Sequence, residues 1–216
     1  MRAGVTLAYT TGGPVPVSRY FGGMASNEYH FVTTWQVPAT REEISAILGD
    51  APGLARWWPS VYLRVREAAP GDERGVGKIV DLWTKGFLPY TLRWRFEVTR
   101  SDPPHGFRLE ARGDFVGIGI WTLTPVHAAG DSRGPLTAVA YDWTVIAQKG
   151  LLKTLSSVMK PIFSANHHWA MRRGEESLRL ELARRQAAAD PLLAAAIKAP
   201  PGPTFPHNLL VRLVRR

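Results

Sequence analysis

The chain's stock of reactive groups is narrow. It has six histidines, eighteen carboxylates and no cysteine in 216 residues. Without cysteine there are no disulfides, thiolate zinc sites or cysteine nucleophiles. His167 and His168 are adjacent, but neighbouring helical residues point to different faces and do not chelate one metal together. No His-Glu-x-x-His spacing, phosphate-binding glycine loop, Ser-His-Asp order or paired-carboxylate motif appears. No metal and no cofactor is therefore expected. Acid–base chemistry remains, and Asp81 and His167 are the candidate catalytic residues. Asp81 shares strand phase with Ile79 and Trp83. A carboxylate in phase with apolar residues is expected to face a pocket, where desolvation raises its pKa towards that of a general base. His167 falls on a helical stripe with Ser164, Met171, Gly174, Leu178 and Leu182. There it serves as a hydrogen-bond donor or proton shuttle, or as a buried structural histidine bonded to backbone. Asn166 is a neutral polar candidate of lower rank.

A second group of residues suits binding rather than catalysis. Trp83, Tyr90, Trp94, Tyr141, Trp143 and Met171 are candidate ligand-binding residues. Aromatic rings bring large apolar area, and tyrosine and tryptophan add a polar tip for orientation. Ordinary core packing is the competing reading for each of them. Arg93, Arg95 and Asp142 alternate with these apolar positions, so cross-strand ion pairs on the opposite face are expected for them.

The elements that position these residues follow from periodicity. Tyr29–Val37 is rich in β-branched and aromatic residues and reads as a strand. Thr40 and Glu43 have capping-box spacing and open a short helix that stops at Gly49. A second short helix runs from about Pro52 to Trp58. From Val61 to Gln148 about six strands follow, of which Tyr90–Arg100 alternates most strongly. Gly113, Gly117 and Gly119 are expected to bend or bulge a curved sheet. A helical stretch from Leu151 to about Arg185 carries Pro161, which predicts a kink or break.

Composition bounds the rest. Hydrophobic residues make up 45% and charged residues 21%, as in globular domains, and the formal net charge is +9. That charge sits at the ends. Residues 1–27 hold two bases and no acid, and residues 184–216 six bases and one acid, leaving 28–183 with nineteen bases and seventeen acids. A near-neutral centre argues against nucleic acid as a partner, while the basic tail suits contact with an anionic surface. No apolar run spans a bilayer, so no integral membrane segment is expected. The absence of cysteine suits a reducing cytoplasm. Three regions result: an extended Gly/Pro-containing arm at 1–27, in which Met24 reads as an alternative start; a ligand-binding domain at 28–185; and an Ala/Pro-rich basic tail at 186–216, with a short basic helix expected over Asn208–Arg216.

The expected architecture is α+β. A curved antiparallel sheet wraps around one long C-terminal helix, with two short helices after the first strand. A single helix cannot fill the concavity with side chains, so a pocket between sheet and helix is the natural site. Four features make residues 28–185 resemble the SRPBCC (START-like) superfamily, and within it the polyketide cyclase/dehydrase and lipid-transport branch. They are Trp57-Trp58-Pro59-Ser60-Val61, the Gly75-Val76-Gly77 turn, Tyr90-Thr91-Leu92-Arg93-Trp94 after Pro89, and the long final helix. The resemblance implies a helix-grip fold and a cavity for a hydrophobic small molecule: a lipid, a polyketide-like compound or an isoprenoid. Two functions fit it, a carrier or binding protein and an aromatase/cyclase-type enzyme using cavity acid–base residues.

Overall fold

The period-two patterns become strands of one sheet. The computed structural model describes residues 28–127, 131–148 and 156–204. In chain order the elements are β1 (Glu28–Val37), α1 (Arg41–Leu48), α2 (Leu54–Trp57), β2 (Tyr62–Ala69), β3 (Ile79–Thr84), β4 (Leu92–Asp102), β5 (Gly106–Gly113), β6 (Phe115–His127), β7 (Leu136–Ala147), α3 (Ser156–Gln186) and α4 (Pro191–Ala196). The seven strands are ordered β1-β7-β6-β5-β4-β3-β2, every neighbouring pair antiparallel. Strands β2 to β7 form a meander, and β1 closes the sheet against β7. The result is the expected helix-grip arrangement, a curved sheet around α3.

Local chemistry explains the junction between β1 and the sheet's far edge. The Thr40 hydroxyl accepts the Glu43 N–H at 3.2 Å, and the Glu43 carboxylate accepts the Thr40 N–H at 2.9 Å. This capping box satisfies two orphan donors at the start of α1. Ile44, Ile47 and Leu48 then point into the core. Trp57 at the end of α2 is wholly buried and Trp58 nearly so, 5.4 Å apart between ring centroids.

The strand β3 corrects one expectation. Its buried residues are Val80, Leu82 and Thr84, so Ile79, Asp81 and Trp83 lie on the outer face. Asp81 sits in register between Arg66 and Arg95. Its carboxylate accepts hydrogen bonds from them at 2.5 and 2.7 Å. Trp83 carries the guanidinium groups of Arg64 and Arg93 over its ring, 5.3 and 5.0 Å from the centroid. Cation–π contact covers the indole without sheet burial. A tryptophan screened by two arginines gives the same sequence signal as one facing the core, and it carried Asp81 with it into the wrong phase.

The glycines of β6 do not form bulges. No register shift falls at Gly117 or Gly119. Both point inward, and they leave room. A Cβ at Gly119 would lie 2.7 Å from the Tyr141 hydroxyl and 3.0 Å from the Trp143 ring. Gly119 thus hollows the sheet's concave face where large β7 side chains cross it, whereas at Gly117 a Cβ would stand 2.2 Å from the Thr144 carbonyl oxygen of the β7 main chain.

Helix α3 runs on through Pro161 for 31 residues. Met171, Gly174, Leu178 and Leu182 are buried along it as the stripe requires. Glu181, a carboxylate beside that stripe, is 2% exposed. Its two carboxylate oxygens accept from Arg56 Nη1 at 2.9 and 2.8 Å, and one accepts from Arg185 Nε at 3.0 Å. The pair fastens α2 to α3. Arg56→Ala leaves the buried carboxylate without its best partner and is expected to cost about 3 kcal/mol. Glu181→Ala frees Arg56, Arg184 and Arg185, which already reach water, and is expected to cost about 1–2 kcal/mol. Urea unfolding of both variants checks this order, and a reversal would mean that Arg184 and Arg185 hold Glu181 without Arg56.

Beyond α3, Asp190 caps α4 by accepting from the Leu192 and Leu193 N–H groups. The expected tail thus holds a short helix, with Leu192 and Leu193 exposed. The arm at 1–27 and the basic helix expected over Asn208–Arg216 lie outside the described residues. No described helix is long and apolar enough to cross a membrane.

Candidate functional site

Between the concave face and the N-terminal half of α3 lies a cavity of about 220 Å³. Its floor is built by inward positions of β6 and β7. Tyr141 stacks on Trp121 at 4.2 Å and on Trp143 at 5.7 Å, with near-parallel rings. On the neighbouring wall Trp94 meets Phe115 at 4.8 Å. The Trp94 indole N–H donates to the Thr84 hydroxyl at 2.9 Å, which satisfies it inside the sheet. Phe163, His167 and Met171 of α3 form the roof.

The roof is tied to the sheet at two points. The His167 ring stacks on Phe31 of β1 at 4.1 Å, with its Nε2 3.4 Å from the Thr33 hydroxyl. Asn166 Oδ1 accepts the Leu88 N–H at 3.3 Å. Gly86 lies so close to Asn166 that a Cβ there would stand 2.0 Å from its amide oxygen. The 85–91 loop is therefore seated against α3 beside the cavity, and only glycine permits that approach.

Burial holds Tyr62, Tyr90, Tyr141 and His167 of the cavity wall neutral. Desolvation raises the hydroxyl pKa of Tyr62 and Tyr141, and pushes that of Tyr90 up to about 12, with the Tyr29 charge adding to the last. Burial, with a smaller contribution from His168, lowers His167 to about 4. At neutral pH the wall presents phenolic donors and a neutral imidazole. Among the described residues no aspartate or glutamate lines it. Such a wall can hold an apolar molecule by ring area and orient its oxygen atoms by hydrogen bonds.

Six of the eight residues expected at the site line this cavity: Tyr90, Trp94, Tyr141, Trp143, Met171 and His167. Asp81 and Trp83 do not, being on the opposite face of the sheet. Asp81 is further unsuited to act as a base there. Hydrogen bonds from Arg95 and Arg66 hold its pKa at about 2, the reverse of the expected rise. Phe31, Tyr62, Phe115 and Lys85 also line the wall and were not anticipated. The odd-numbered apolar row Tyr29, Phe31, Trp35 and Val37 was the signal for Phe31. Lys85 follows the strand's last inward residue and carries no pattern that would have revealed it.

Compared by sequence, the chain matches no protein-family model and no curated protein. Compared by structure, it is similar to the Zhui aromatase/cyclase from Streptomyces sp. R1128. The TM-score is 0.56 at 16% identity, over 76% of this chain and 98% of that one. The chain has the SRPBCC, START-like fold. A START superfamily protein from Mycobacterium smegmatis matches with TM-score 0.52 at 14% identity, over 69% of this chain and 98% of that one. A norcoclaurine synthase point mutant from Thalictrum flavum, in complex with a transition-state analogue, matches with TM-score 0.52. Its identity is 12%, over 74% of this chain and 96% of that one. These START-like structures share the architecture, and identities this low show the fold alone.

Proposed function

We propose that the protein binds a hydrophobic small molecule, of lipid, polyketide-like or isoprenoid character, as a carrier or binding protein. The observation that carries this reading is the aromatic cavity under α3, whose described wall includes no carboxylate. A carrier needs shape and apolar area, and the stacked Trp121–Tyr141–Trp143 floor supplies both. The aromatase/cyclase-type reading, favoured by the fold it shares with the Streptomyces protein, keeps His167 as a hydrogen-bonding group. It loses Asp81 as base, because that carboxylate is on the far side of the sheet and paired with two arginines.

Binding of a neutral apolar dye such as Nile red, followed by tryptophan quenching, tests the reading. Wild type is expected to bind. Tyr141→Ala and Trp94→Ala are each expected to weaken binding at least tenfold, in protein that still unfolds cooperatively. Unchanged affinity in both variants would place the binding site elsewhere. Native mass spectrometry of the purified chain would then identify what it retains.

A further inference from the structure

We propose that Phe107, with Leu48 and Phe96, forms an end wall that limits how long a ligand the cavity accepts. The inference rests on the cavity being a binding site and names the residue that sets its length. A second cavity, of about 570 Å³, lies between α1 and the turns that join β2 to β3 and β4 to β5. Exposed Glu42, Asp72, Glu73 and Arg74 line its solvent side. Leu48, Phe96 and Phe107 line both this cavity and the aromatic one, and no other described residue does. Three apolar side chains therefore stand between an aromatic chamber of about 220 Å³ and a larger space that opens to solvent.

The frame around these side chains is fixed. Phe107 is in register with Ser101 of β4 and Trp121 of β6, so ladders hold it on both sides. Its ring lies 6.4 Å from that of Trp121 in the cavity floor. Gly106, beside it, packs so closely that a Cβ would stand 2.0 Å from the Trp121 carbonyl oxygen. On the helix side, the Lys78 ammonium donates to the Gly49 carbonyl at 3.0 Å. That bond ties the end of α1, next to Leu48, to the residue before β3. A side chain removed from such a frame leaves a void, because the surrounding structure relaxes only in part. Leu48 and Phe96 are buried, whereas Phe107 is half-buried. Phe107 is therefore the residue whose loss joins the two cavities at least cost to the fold. A ligand that fills the inner cavity ends against this wall, and further methylenes find no apolar surface to cover. With the wall opened they pass between α1 and β4, and each gains about fourfold in affinity while it remains buried.

The test uses straight-chain primary alcohols from hexanol to dodecanol, which displace Nile red from the full chain. In wild type the affinity is expected to rise with chain length and then stop rising. In Phe107→Ala the rise is expected to continue for at least two more carbons, so that the longest alcohol gains at least tenfold while hexanol changes less than threefold. Ala46 is exposed on α1 and lines the outer cavity. Adding Ala46→Trp to Phe107→Ala refills that space and is expected to return the plateau to its wild-type length. A wild-type affinity that rises through the whole series, or a plateau that Phe107→Ala leaves in place, would overturn the proposal. Failure of the dye and of every alcohol to bind wild type would instead count against the cavity as a binding site. Should Phe107→Ala not fold, Phe107→Val provides the same comparison with a smaller opening, and a wild-type series without a plateau overturns the proposal without any variant.

Discussion

Gly174→Leu is expected to destabilise the domain by more than 3 kcal/mol and to abolish cavity binding with it. Gly174 lies on the buried stripe of α3, directly against Trp58. A Cβ there would stand 2.3 Å from Cζ2 and 2.6 Å from Cη2 of that indole. Neither side can yield easily. Trp58 is 3% exposed and is packed at its edges by Trp35, Trp57 and Tyr62. Over-packing a dense core costs about 1–3 kcal/mol and more when the backbone must move. The smaller change Gly174→Ala separates two opposing effects. Helix propensity alone favours alanine by about 1 kcal/mol, whereas the clash with Trp58 opposes it. The distances say that the clash wins, so Gly174→Ala is expected to lower the urea midpoint. A second substitution, Trp58→Leu, should recover part of the loss, because it removes the atoms that the new Cβ meets. An alanine variant more stable than wild type would show that α3 can lift away from the sheet at no cost.

The same contact shows which parts of the fold are legible in sequence. The stripe through Met171, Gly174, Leu178 and Leu182 follows from a 3.6-residue period, and the inward row Trp94, Phe96 and Val98 from a period of two. Periodicity states which residues share a face. It does not state which face is inside when both carry apolar residues, and β3 is that case. Val80 and Leu82 occupy one phase and Ile79 and Trp83 the other. The choice is made by neighbours distant in sequence, Arg64 and Arg93, whose cation–π contacts let Trp83 stay outside. The burial of Glu181 is a parallel case. Its burial depends on Arg56, 125 residues away. Glycine was legible as a special position, but its role was not. At Gly119 it makes space for Tyr141 and Trp143 without a bulge, which becomes visible only once β6 and β7 are in register. The cavity followed from architecture and most of its aromatic wall from alternation. Its lysine, Lys85, could not be read, because a single residue beyond a strand end has no period.

Stability is expected to fall as the solution is acidified from about pH 6.5 to pH 4, and His167→Gln is expected to remove that part of the fall. The direction follows from the environment of the imidazole. It is stacked on Phe31, shares Thr33 as its hydrogen-bonding neighbour, and lies 5.9 Å from the His168 ring. Burial first, and His168 second, depress its pKa from 6.5 to about 4. The folded state thus resists a proton that the unfolded chain accepts. Above the unfolded pKa both states are neutral at this residue, and its contribution to stability is complete. Between about 6.5 and 4 the unfolded state binds the proton and gains, so stability is lost; below 4 both states are protonated and the loss stops growing. At about 1.4 kcal/mol per unit, the shift sets an upper limit of about 3 kcal/mol. Other histidines and carboxylates add their own dependence, so the measured quantity is the difference between wild type and variant in urea unfolding across pH 4–8. An NMR titration placing His167 near 6.5 would remove the effect. A low value also bears on binding, since a neutral imidazole above the cavity offers a ligand one hydrogen-bond donor and one acceptor.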